Sequence, residues 1–118
     1  MEKNIILEKS YQFALKIVHL CKDLTEEKRE FILSKKLLNS GTEIGAQVKA
    51  AQEVGYKDEL TRRMQTAYVE GGRTEYWLQL LFEGGFLAEE KYRSINEDCV
   101  ELKKILSSIL KTAKTNQY

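Results

Sequence analysis

A chain of 118 residues with 19 Lys and Arg against 18 Asp and Glu nets +1, so no global field draws it toward nucleic acid. Apolar residues make up 42% and charged residues 31%, the balance of a soluble protein, and no run approaches the roughly 18 uncharged apolar residues of a membrane span. This length argues for one domain over 1–118, able to bury roughly two thirds of its unfolded surface without metal or disulfide staples.

Proline is absent and glycine is limited to seven, so long helices meet few breakers. The first is predicted over about 6–24. Ile6, Phe13, Ile17, Leu20 and Leu24 mark one edge, and Ala14, Val18 and Cys21 widen it into the broad face of a bundle helix. Thr25 is placed to cap the second helix, with Glu26 and Glu27 in the first turn, where the dipole favours acids. That helix is predicted over 26–54, with a seam of Ser34, Leu37, Gly41, Ile44, Val48 and Ala51. Gly55 supplies its stop, since glycine takes the left-handed conformation without steric cost.

The third helix, over about 57–83, organises the rest. Leu60, Met64, Ala67, Gly71, Thr74, Leu78 and Leu81 recur at steps of 4 and 3, which keeps them on one edge. Arg62, Val69, Arg73, Tyr76 and Leu80 form a second stripe on a different edge. A helix in a lone bundle should be polar there, so Val69, Tyr76 and Leu80 are read as a subunit contact. Gly84-Gly85 ends this helix. The fourth runs over about 87–114 with a seam of Tyr92, Ile95, Cys99, Leu102, Leu106, Ile109 and Ala113, and the polar tail after Lys114 is expected to fray. Four such helices with short links specify an all-α, antiparallel up-down-up-down four-helix bundle.

Helices two and three carry small residues mid-length: Gly41, Gly45 and Ala46 on one, Ala67, Gly71 and Gly72 on the other. Each interior glycine costs about 1 kcal/mol relative to alanine. The compensation is close packing, with Phe13, Tyr68 or Trp77 filling the room, or else a functional notch or hinge. Thr42 and Thr74 are placed to bond their own helix backbone.

Catalytic groupings are missing from the sequence. His19 is the only histidine and has no carboxylate or cysteine at ligand spacing. Glu89, Glu90, Glu97, Asp98 and Glu101 lie among lysines, without the Glu-x-x-His of a di-iron bundle. Gly84-Gly85 lacks the Lys-Ser/Thr of a phosphate loop, and no nucleophile has a base beside it. The reading is of a protein that is not an enzyme, with no cofactor and no metal. Cys21 and Cys99 stand far apart, and the start MEKNIILEKS lacks a signal peptide's apolar core, so a cytoplasmic chain with reduced thiols is expected.

Arg62, Arg63 and Arg73 are the candidate nucleic-acid contacts. Arg62 and Arg73 stand 11 residues apart, close to three turns, so they project from nearly one line. Tyr76 beside Arg73 offers a stacking ring, and Lys49 and Lys57 flank the same end. The bland alternative is a solvated face paired with Asp58, Glu59 and Glu70.

LLNSGTEIGAQVKAA (37–51) followed by RTEYWLQLLFEGGFL (73–87) resembles the four-helix-bundle proteins encoded within 23S ribosomal RNA intervening sequences, loosely labelled the S23 ribosomal protein family. The chain is also similar to the accessory variability proteins of diversity-generating retroelements, and the match runs nearly end to end. The resemblance implies a bacterial protein assembling as a homopentamer without known catalytic chemistry. In the retroelement branch it implies a ring that binds nucleic acid and a reverse transcriptase. The family usually reads Arg-Ser-Gly-Thr-Ser-Ile-Gly-Ala-Asn where this chain has Asn39, Glu43 and Gln47, and it usually has Glu at the positions of Ala50 and Arg73. The packing residues Leu37, Gly41, Ile44, Gly45, Thr74, Trp77 and Leu78 remain. The expectation is a ring-forming, non-enzymatic bundle that binds RNA or DNA, with a protein-interaction adaptor as the alternative and no membrane partner.

Overall fold

The computed structural model describes residues 2–55 and 57–115, in which four α-helices follow one another: α1 (Glu2–Glu26), α2 (Leu33–Glu53), α3 (Lys57–Glu83) and α4 (Glu89–Thr115). The expected fraying beyond Lys114 concerns residues 116–118, which lie outside the described residues; Thr115 is still helical.

Two of the expected helix-end devices differ from the sequence reading. Thr25 does not cap α2. It lies inside α1, its hydroxyl donating to the Lys22 carbonyl at 3.0 Å, and α2 begins only at Leu33. The device that starts α2 is Glu30. Arg29 takes a left-handed φ of +56°, which turns the chain so that the Glu30 carboxylate accepts the N–H groups of Ile32, Leu33 and Ser34 at 3.2, 3.0 and 2.7 Å. It thereby satisfies donors that a helix start leaves unpaired. The other end of α2 is not stopped by a left-handed Gly55. Val54 swings into extended backbone (φ −95°, ψ 148°) and breaks the ladder there. Gly84-Gly85 does end α3. Gly85 has φ +89°, its N–H reaches the Phe82 carbonyl and the Phe86 N–H reaches that of Leu81, the paired bonds of a Schellman motif.

α1 packs on α2, α2 on α3, α3 on α4 and α4 on α1, while the backbones of the diagonal pairs α1/α3 and α2/α4 stay apart. That is the up-down-up-down bundle, 50 × 21 × 21 Å. Its core is built from the expected seams. All six named α2 residues are buried, as are Met64, Ala67, Gly71, Thr74, Leu78 and Leu81 of α3 and Ile95, Cys99, Leu102 and Leu106 of α4. Burying each large aliphatic side chain contributes about 1.5–3 kcal/mol. Leu60, Tyr92, Ile109 and Ala113, at seam ends, are half-buried. Val18 departs from expectation: it is 44% exposed, because it stands roughly 100° around α1 from Ile17 and past the arc that α2 and α4 cover.

The glycine waist is close packing, but its occupants are not Phe13, Tyr68 or Trp77. A β-carbon on Gly41 would stand 2.9 Å from Ile17 of α1, one on Gly45 would stand 3.2 Å from the Ser10 carbonyl, and one on Gly71 would stand 2.8 Å from Lys103 Cγ of α4. The hydroxyls beside the waist find partners within reach. Thr42 donates to the Leu38 carbonyl at 2.7 Å, and Thr74 Oγ1 lies 2.8 Å from the Glu70 carbonyl and 3.0 Å from Ser40 Oγ across the helix pair. The α1–α4 seam is closed at its rim by Lys9–Glu101 and Lys16–Asp98 ion pairs at 3.2 and 2.6 Å.

Candidate interaction surface on α3

The side of α3 turned away from the core carries Arg62, Val69, Arg73, Tyr76 and Leu80, all exposed. Val69, Tyr76 and Leu80 keep 51%, 57% and 38% of their surface. Tyr76 packs edge-on against Trp77 (ring centroids 5.0 Å apart), and Lys36 of α2 covers the Trp77 ring at 5.3 Å. α1 carries a second such stripe that the sequence reading passed over. Tyr11, Leu15 and Val18, at steps of 4 and 3, are 59%, 37% and 44% exposed. Since α1 and α3 are diagonal, these two apolar stripes face away from one another.

The basic residues are less available than their positions suggest. Arg62 pairs with Glu59 on its own helix, and Arg63 Nε lies 3.0 Å from the same carboxylate. Hydrogen bonding by Arg62, and then the charges of both guanidinium groups, hold the Glu59 carboxyl below the usual range. Arg63 is half-buried, and its Nη1 donates to Gln47 Oε1 at 3.2 Å, while Gln47 in turn donates to Glu43 at 2.7 Å. Arg63 therefore ties α3 to α2 through Glu43 and Gln47, two of the residues that replace the usual family pattern. Arg73 pairs with Glu70 at 3.5 Å and Lys49 with Glu53 at 3.6 Å. Lys57, exposed, opens α3 next to Asp58 and Glu59. The structure thus gathers Arg62 and Arg63 around one acid, sets Arg73 about 16 Å further along the axis, and leaves Lys49 and Lys57 near the short α2–α3 connection.

Between α2 and α3 lies an open notch of about 430 Å³ lined by Lys36, Asn39, Ser40, Thr42, Glu43, Glu70, Arg73 and Trp77. Its two cations and two carboxylates balance. The thiols are withdrawn from chemistry. Cys21 donates to the Ser34 carbonyl at 3.2 Å and Cys99 to that of Gly71 at 3.3 Å. Burial first, then the charges of Glu30 and of Glu75 respectively, pushes each thiol up to about 12. His19 is exposed, and no cluster able to hold a metal occurs among the described residues. No described helix is long and apolar enough to cross a membrane.

An antiparallel four-helix bundle with a small-residue waist and two outward apolar stripes is the class of protein this fold defines. More narrowly, the family model described as 23S rRNA-intervening sequence protein matches residues 2–108, and the chain belongs to that family. It is similar to a solved protein of unknown function from the S23 ribosomal protein family of Bacteroides thetaiotaomicron, with 40% identity and a TM-score of 0.92, over 94% of this chain and 99% of that one. No curated protein matches it.

Proposed function

We propose that this protein is a non-enzymatic, ring-forming bundle, a homopentamer, that binds RNA or DNA in the cytoplasm. One observation carries the reading: Val69, Tyr76 and Leu80 stand exposed in line on α3, with Arg62 and Arg73 interleaved. Exposed apolar residues in register mark a contact with another chain. The exposed α1 stripe of Tyr11, Leu15 and Val18 supplies an unlike face for it. A contact between unlike faces generates a ring where its rotation closes and an open filament where it does not, whereas a two-fold dimer uses one face twice. Repetition around a ring multiplies a weak basic patch into useful affinity.

The expected mass by light scattering is near five chains, and a monomer at micromolar concentration overturns the assembly. A gel shift at low salt with structured RNA and a polynucleotide control tests the ligand. Absence of retardation at micromolar ring, or undiminished binding in Arg62→Glu/Arg73→Glu, counts against it.

A specific observation favours the second reading, a protein-interaction adaptor. Arg62, Arg63, Arg73 and Lys49 each already hold a carboxylate on their own helix, which leaves this face nearly neutral. A nuclease-resistant partner in a pull-down supports the adaptor.

A further inference from the structure

The groove between α3 and α4, on the flank of the bundle rather than on the outer α3 stripe, has a different electrostatic character. Two contiguous hollows of about 500 and 470 Å³ share Tyr68, Ser107 and Lys111. Four lysines line them, Lys103, Lys104, Lys111 and Lys114, against the single carboxylate of Glu75. The whole chain nets +1 and this groove nets +3, so the remainder of the protein is left at −2. The asymmetry is written in α4, which has no Asp or Glu after Glu101.

Lys103 is fixed as part of the wall. Its stem lies over Gly71, its ammonium bonds Glu75 at 2.7 Å and covers the Tyr68 ring at 5.1 Å. The hydrogen bond it donates to Glu75 holds its pKa above the ordinary lysine value, so it stays charged. Lys104, Lys111 and Lys114 are exposed along the rim, and among the described residues neither Lys104 nor Lys114 makes an ion pair. That separates them from the α3 arginines. The helix dipole accounts for a cation in the last turn, such as Lys114, but not for Lys103 and Lys104 about three turns earlier. The lysines extend about 16 Å along the axis at 1.5 Å per residue, with Ser107, Ser108, Thr112, Thr61 and Gln65 supplying uncharged hydrogen-bonding groups between them.

We infer that this groove is a track for the sugar-phosphate backbone of a single-stranded nucleic acid. The inference rests on the nucleic-acid reading above and assigns it a site. A cationic groove that follows the backbone is how strands are held without sequence preference. The hydroxyls and amides accept either sugar, so RNA and DNA are bound alike.

The test is fluorescence anisotropy with labelled single-stranded RNA and DNA of one length, titrated across salt, with polyglutamate as an acidic-peptide control. Wild type is expected to bind both strands with a steep salt dependence. Lys104→Gln/Lys114→Gln weakens binding several-fold and lowers the log–log salt slope by about 1.4, two contacts at roughly 0.7 each. Lys104→Arg/Lys114→Arg, which keeps the charge, retains binding. Wild-type binding with an unchanged slope in the Gln variant overturns the groove while leaving the nucleic-acid reading intact. No binding of either strand by wild type overturns the groove, and absence of retardation of the structured RNA as well overturns the nucleic-acid reading with it. Equal binding of polyglutamate, with the same loss in the Gln variant, overturns the nucleic-acid assignment of the groove.

Discussion

Ile17 of α1 rests directly on the bare backbone of Gly41 in α2: a β-carbon there would stand 2.9 Å from both Cγ1 and Cγ2. Gly72, on α3, faces the reverse situation, with only the flexible Lys103 Nζ near, at 3.9 Å. Gly41→Ala is therefore expected to destabilise by about 1–3 kcal/mol, because overpacking outweighs the gain in helix propensity. Gly72→Ala should stabilise by up to about 1 kcal/mol. Urea denaturation of the two variants checks the opposite signs.

Ser40 and Thr74 are the hydroxyl pair that joins α2 to α3 inside the core, 3.0 Å apart and both buried. Thr74→Val keeps the shape and leaves Ser40 without that partner, at an expected cost of about 1–2 kcal/mol. Adding Ser40→Ala should recover part of the loss. A double-mutant cycle reads the coupling, and strictly additive effects would show that the contact contributes nothing.

The start of α2 depends on an ionised side chain. Burial alone raises the pKa of Glu30, but the N–H groups of Leu33, Ser34 and Ile32, with the Ser34 hydroxyl, outweigh it and hold the carboxyl below its ordinary value. A depressed carboxyl stabilises the fold fully above its unfolded pKa of about 4.3, and the contribution is lost as pH falls through the folded value. Glu30→Ala should cost about 1–2 kcal/mol at pH 7. The gap between the melting curves of wild type and variant is expected to narrow as pH falls below the unfolded pKa and through the folded value.

Cys21 and Cys99, with thiols pushed up to about 12, should resist alkylation at pH 7–8 in the native protein and react at once in denaturant. Thiol titration with and without guanidinium distinguishes the two states. Rapid native labelling of either cysteine would show that its helix opens readily.

The seams were legible because helical spacing depends only on neighbours along the chain. Leu37, Ile44, Val48, Met64, Leu78 and Leu102 are all buried where that spacing put them. The start of α2 was not legible, since Thr25-Glu26-Glu27 has the composition of a cap. The actual device needs Arg29, a non-glycine residue, in the left-handed region. The glycines announced close packing without naming the occupant, because the register of Ile17 or Lys103 against them belongs to other helices. The candidate site divides in the same way. Glu59 beside Arg62 and Arg63, and Glu70 beside Arg73, follow from the i,i+3 and i,i+4 rule. The Gln47–Arg63 tie and the position of Lys103 over Gly71 exist only once helices are docked. The lysine-rich end of α4 had a plain signal, four lysines and no acid after Glu101, but only the groove between two helices makes it a place.

The acids seated beside the α3 arginines have a consequence for any visitor. A phosphate reaching Arg62 or Arg73 meets a cation already occupied by Glu59 or Glu70, so it enters by eviction rather than by filling a vacancy. A solitary phosphate competes there with an anion tethered one turn away. On the proposed nucleic-acid reading, a polymer that presents many phosphates at once would displace several residents together, and the outer face would favour long strands over short ones.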